Sequence, residues 1–91
     1  MVADHDHILR LLKTARGQID GIIRMVEEDR YCIDISNQLM ATESLLARTN
    51  ADVLKAHVEH CVREAADSGT EEEKTEKLDE VATVIDKLAR R

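Results

Sequence analysis

The 91 residues carry 13 basic and 19 acidic side chains, a formal charge of −6, with a single Tyr as the aromatic content and no Pro. A chain of this length forms one domain, and its shortage of aromatics and turn formers excludes a β-sandwich or barrel and favours helices. No run of about 18 apolar residues is present to span a membrane, and Met1 to Asp6 lack the basic-then-apolar pattern of a signal peptide. The expected compartment is therefore the cytoplasm, where two Cys serve as thiols, ligands or redox groups rather than as a structural disulfide. Residues 1–50 hold six basic and eight acidic groups, and residues 51–91 hold seven and eleven. The acid gathers late, around Glu71-Glu72-Glu73, so binding to nucleic acid requires a local basic patch.

The first predicted element runs roughly from Asp4 to Asp29. Ile8, Leu11, Leu12, Ala15, Ile19, Ile22, Ile23 and Val26 recur in steps of three and four and form one apolar helical stripe. Asp4 or Asp6 is the expected N-cap, and residues 1–7 are expected to fray. Gly17 and Gly21 lie inside this helix at about 1 kcal/mol each against Ala. A helix keeps such residues where another backbone comes close, or by simple tolerance.

The second element begins near Cys32 and reaches about Asp67 without Gly or Pro. Ile33, Ile35, Leu39, Met40, Leu45, Leu46, Val53, Leu54, Val58 and Val62 give it helical spacing, and Arg48-Thr49-Asn50-Ala51-Asp52 is the one stretch where it would bend or break. Ser68-Gly69-Thr70 stops it, and Thr70 with Glu73 makes a capping-box pattern for a third helix from about Glu71 to Arg90. Leu78, Val81, Ala82, Ile85 and Leu88 line one face of that helix. A second helix of about 36 residues would measure about 54 Å. One small chain cannot cover so long an apolar stripe, and association through this helix is the natural solution.

The reactive residues are Cys32, His57 and Cys61. His57 and Cys61 are spaced i, i+4 and share a helix face. Cys32 lies about 43 Å away along a continuous helix, so it cannot meet them within one chain. An antiparallel pair of these helices brings Cys32 of one protomer beside His57 and Cys61 of the other, twice by symmetry. Two thiolates and one imidazole form a soft three-coordinate set that suits Cu(I) better than Zn, which normally takes a fourth ligand. The spacing alone leaves open that the cysteines are small buried hydrophobes.

Three stretches together resemble the copper-sensitive operon repressor (CsoR) family: Lys13-Thr14-Ala15-Arg16-Gly17-Gln18-Ile19-Asp20-Gly21-Ile22, Met25-Val26-Glu27-Glu28-Asp29-Arg30-Tyr31-Cys32-Ile33-Asp34-Ile35, and His57-Val58-Glu59-His60-Cys61-Val62. The resemblance spans about residues 8–90. It implies an all-α fold of three helices with a very long second helix, an antiparallel four-helix-bundle dimer, and a dimer-of-dimers tetramer. It also implies a repressor that holds operator DNA when free of inducer and releases it on binding Cu(I), derepressing copper-resistance or export genes. By the same resemblance, Cys32 of one chain joins His57 and Cys61 of the other. Tyr31 and a third-helix carboxylate, Glu80 with Asp79 as the fallback, hydrogen-bond the free nitrogen of the bound His, which orients the imidazole.

The family presents basic residues over a flat face rather than a helix-turn-helix. Here the resemblance points to Arg10, Lys13, Arg16, Arg24 and Arg48. Arg48 matches the family's second-helix arginine. The first-helix arginine aligns instead with Leu11, and Arg10 is turned about 100° from it. The persulfide-sensing branch lacks the His, and the nickel/cobalt branch adds His ligands, one of them near the N-terminus. With Cys32, His57 and Cys61 all present, copper is the expected inducer. A thiol- or persulfide-responsive repressor using Cys32 and Cys61 and a nickel- or cobalt-responsive repressor are the alternatives. His5 and His7 are expected as solvated residues on the fraying end, with N-terminal nickel ligands as the alternative, and His60 is expected to be exposed. No Gly-rich loop or pair of catalytic acids suggests an enzyme or a small organic substrate.

Overall fold

The computed structural model describes residues 1–89, with the side chains of Ser68, Leu88 and Ala89 outside the description. The position of Leu88 in the third-helix stripe and the end of that helix at Arg90 therefore lie outside the described residues. The elements are α1 (His5–Glu27), α2 (Cys32–Ser68) and α3 (Glu71–Ala89), with no strand among the described residues. Two compact units share α2. The first is Met1–Leu54 and the second is Lys55–Arg91.

In the first unit, Asp4 caps α1. Its carboxylate accepts from the backbone N–H groups of Asp6 at 3.0 Å and His7 at 3.4 Å, satisfying donors that a helix start otherwise leaves free. Ala3 and Ile8 are buried on either side of this cap. The helix thus takes in His5, Asp6 and His7, which the sequence assigns to a frayed end.

The far end of α1 closes without glycine. Asp29 takes the left-handed conformation, with φ 52°. Its N–H donates to the Val26 carbonyl at 3.1 Å, and the Arg30 N–H donates to the Met25 carbonyl at 2.9 Å. This is the paired bonding of a Schellman cap, a position that usually carries Gly or Asn.

Ile8, Ala15 and Ile22, seven residues apart, form the buried seam of α1. Thr42 and Thr49 are buried on α2. The Thr42 hydroxyl lies 2.8 Å from Gln18 Oε1 and 3.2 Å from the Gln38 carbonyl, and Thr49 donates to the Leu45 carbonyl at 2.8 Å. The polar stretch Arg48–Asp52 neither bends into a loop nor ends the helix, because α2 runs on to Ser68. An apolar groove between α1 and α2 is lined by Ile19, Ile22, Ile23, Val26, Leu39 and Leu46. Five of these, Ile19, Ile23, Val26, Leu39 and Leu46, are exposed within one chain. A Cβ added at Gly17 or Gly21 meets nothing within 4 Å, so neither glycine answers a close backbone approach inside the chain.

In the second unit, Gly69 separates α2 from α3. A Cβ there would stand 3.0 Å from Ala65 Cα and 3.1 Å from its carbonyl oxygen. Thr70 and Glu73 then bond reciprocally. The Glu73 N–H donates to Thr70 Oγ1 at 3.2 Å, and the Thr70 N–H donates to Glu73 Oε2 at 3.4 Å, which is the capping box read from the sequence.

Candidate functional site

The second unit brings together three of the residues singled out in the sequence. His57 and Cys61, one helical turn apart on α2, put Nε2 and Sγ 3.5 Å apart. Glu80 arrives from α3 with Oε1 2.9 Å from the same Nε2. The short Gly69-Thr70 link and the capping box start α3 in the register that carries Glu80, rather than Asp79, to the imidazole. An ionised carboxylate only accepts, so Nε2 carries the hydrogen in this contact, and the lone pair of the neutral ring sits on Nδ1. Cys61 is buried, whereas His57 and Glu80 keep 39% and 49% of their side-chain surface, so the pair remains open to solvent. Lys77 stands 4.0 Å from the second Glu80 oxygen. A cleft of about 260 Å³ beside Cys61 is lined by Glu64, Ala65, Gly69, Glu73 and Lys77.

Cys32 and Tyr31 belong to the first unit, and both are exposed at the start of α2. Among the described residues, no three His, Cys, Asp or Glu side chains of one chain group as a metal site. The chain thus holds a two-donor cluster, His57 and Cys61, with a carboxylate behind the imidazole. His60 pairs with Glu64 at 3.0 Å on the exposed side of α2.

The five basic candidates, Arg10, Lys13, Arg16, Arg24 and Arg48, are all exposed and all lie in the first unit. Arg10, Lys13 and Arg24 share one face of α1 with Gly17, opposite the buried seam, while Arg16 is turned about 100° from it. Leu11 is half-buried, and Arg10 beside it carries its charge to solvent.

Sequence reasoning missed one contact. His7 Nε2 lies 2.8 Å from Asp52 Oδ2, joining the first turn of α1 to α2. The two residues are 45 positions apart and no local pattern links them.

Comparison with known proteins adds a lineage. The model of the metal-sensitive transcriptional repressor family matches residues 4–87. The copper-sensing transcriptional repressor CsoR of Mycobacterium ulcerans is 51% identical over 61 residues, which cover 67% of this chain and 52% of that protein. The chain thus spans about half the length of the mycobacterial CsoR relatives it matches. The copper-sensing transcriptional repressor CsoR of Bacillus subtilis is 39% identical over 75 residues, 82% of this chain and 74% of that one. Among solved structures, the copper-sensing repressor CsoR with Cu(I) from Geobacillus thermodenitrificans NG80-2 has a TM-score of 0.80 at 37% identity, covering 92% of this chain and 84% of that one. The nickel-responsive transcriptional regulator InrS has a TM-score of 0.81 at 26% identity, covering 91% and 93%. These relatives are transcriptional regulators rather than enzymes. By the match over residues 4–87 and these identities, the chain belongs to the family of metal-sensitive transcriptional repressors.

Proposed function

We propose that the protein is a Cu(I)-responsive transcriptional repressor, a single domain over residues 1–91 that holds operator DNA in the cytoplasm and releases it when Cu(I) binds. The observation that carries this reading is the cluster of His57, Cys61 and Glu80, with contacts of 3.5 and 2.9 Å. Its donor set fits the ion. Thiolate and imidazole are soft to intermediate ligands, and a two-thiolate, one-imidazole set suits three-coordinate Cu(I). Cys32 of one protomer, together with His57 and Cys61 of its partner, would hold the ion. Cys32 is exposed within one chain and is therefore available to a second.

Bound Cu(I) supplies bonds that fasten the imidazole and the thiolates into one unit. The chain's own residues do the rest. Glu80 accepts a hydrogen bond from the imidazole at Nε2 and so holds the ring in place beside Cys61. Because Glu80 sits on α3 and His57 on α2, the orientation of the ring and the seating of α3 are one variable. Arg10, Lys13, Arg16, Arg24 and Arg48 engage phosphates, which makes affinity steeply salt-dependent. The exposed apolar groove of the first unit is covered in an antiparallel dimer, and two dimers form the tetramer.

The test is anaerobic titration of the reduced protein with Cu(I) and with Ni(II), followed by X-ray absorption at the metal edge and DNA binding before and after loading. One Cu(I) per protomer with two sulfurs and one nitrogen, and weaker DNA binding once loaded, is the expected result. Absence of bound Cu(I), a nickel site rich in nitrogen, or equal DNA affinity in both states overturns the reading.

A further inference from the structure

The contact between His7 and Asp52 serves neither the His57 cluster nor the apolar seam. Asp52 lies four residues beyond Arg48 on α2, the spacing at which two helical side chains meet. An arginine beside a carboxylate at that spacing has a ready ion-pair partner, and a guanidinium so engaged is a poorer ligand for phosphate. In the structure Arg48 is exposed and makes no ion pair among the described residues. The Asp52 carboxylate is instead taken by His7, with Oδ2 2.8 Å from Nε2 and both side chains about two-thirds covered, at 35% and 37% exposure. The placement of His7 is built in. Its own N–H donates to the Asp4 cap, and buried Ala3 and Ile8 anchor the turn that carries it.

We propose that His7 is a positioning residue for DNA binding: it occupies Asp52 and so leaves the Arg48 guanidinium available for a phosphate. This rests on the reading of Arg48 as a DNA contact given above. It gives the first turn of α1 a task in the interface although His7 itself touches no DNA. Without His7, Asp52 captures Arg48 for part of the time.

The experiment uses a duplex that the wild-type protein selects from a random pool, with affinity followed by fluorescence anisotropy over a range of salt concentrations. His7→Ala is expected to weaken binding by about twofold for each Arg48 engaged, and therefore by several-fold for an oligomer. Its salt dependence becomes shallower. Adding Asp52→Asn to His7→Ala restores affinity, although the double variant lacks the His7–Asp52 bond just as the single variant does. A bond that merely pins α1 to α2 predicts no such rescue. Glu43→Gln, which removes an acid elsewhere on α2, gives no comparable rescue. In an Arg48→Ala background, His7→Ala changes nothing further. An equal loss with and without Arg48, or no recovery in the double variant, overturns the inference and leaves the repressor reading intact. Failure of the wild type to select any duplex overturns that reading, and the inference with it.

Discussion

Replacing Gly69 with Ala tests the junction that seats Glu80. The added Cβ would stand 3.0 Å from Ala65 Cα and 3.1 Å from the Ala65 carbonyl oxygen, inside the 3.4 Å at which ordinary contact begins. Both atoms are helix backbone, so neither swings aside as the end of a side chain would. Relief requires a shift of a few tenths of an ångström at the start of α3. Overpacking of this kind costs about 1–3 kcal/mol. Against it, Gly→Ala narrows the unfolded ensemble and returns about 0.4–1 kcal/mol, because Gly69 does not use positive φ. The net is a loss of up to about 2.6 kcal/mol, or a fall in Tm of up to about 20 °C for a chain of this size. The assay is a circular dichroism melt at fixed protomer concentration, since association shifts Tm. A rise of a few degrees, the signature of the entropy effect alone, would refute the close approach. Gly17→Ala supplies the contrast. With nothing within 4 Å, it is expected to gain about 1 kcal/mol from helix propensity. A loss there reports that another molecule's surface lies against that face in the assembly.

Three further outcomes follow from the geometry. Asp29→Gly relieves a left-handed residue at φ 52° and stabilises by up to about 1.5 kcal/mol after the greater chain entropy of Gly is counted; a lower denaturation midpoint would contradict the cap. Thr42→Val removes the hydroxyl that meets Gln18 at 2.8 Å and costs about 1 kcal/mol in urea unfolding, whereas no change would mean that water replaces the bond. Glu80→Ala frees the His57 ring and lowers Cu(I) affinity by about 10–100-fold, read by competition with a Cu(I) chelator. Unchanged affinity would remove Glu80 from the account.

Local patterns were legible, and contacts between distant residues were not. Asp4 as a cap, Thr70 with Glu73, and the helical stripes could be read because each depends on residues within a few positions of one another. The spacing of His57 and Cys61 likewise predicts their meeting, and resemblance to a family points to Glu80. Asp29 gave no signal, since a left-handed cap usually announces itself with Gly. The polar run Arg48–Asp52 reads as a bend or break, yet Thr49 is buried and bonds back to its own helix, and the run stays in α2. His7 reads as part of a loose end because nothing near it in sequence reveals Asp52, its partner on another helix.

On the proposed function, the boundary at Leu54 also sorts the chain by task. Every cation in the candidate DNA face precedes it, while His57, Cys61 and Glu80 follow it. Ligand preference can therefore drift through a handful of exchanges in the later stretch without disturbing the charged surface of α1. The likeness of this chain to both a copper-sensing and a nickel-responsive regulator, at TM-scores of 0.80 and 0.81, is what such a division of labour allows. Cys32 is the exception, a proposed ligand lodged in the stretch that carries the charge. In a chimera that joins Met1–Leu54 of this chain to the matching later stretch of a relative, the inducer would follow the relative and the operator this chain, provided that thiol is kept.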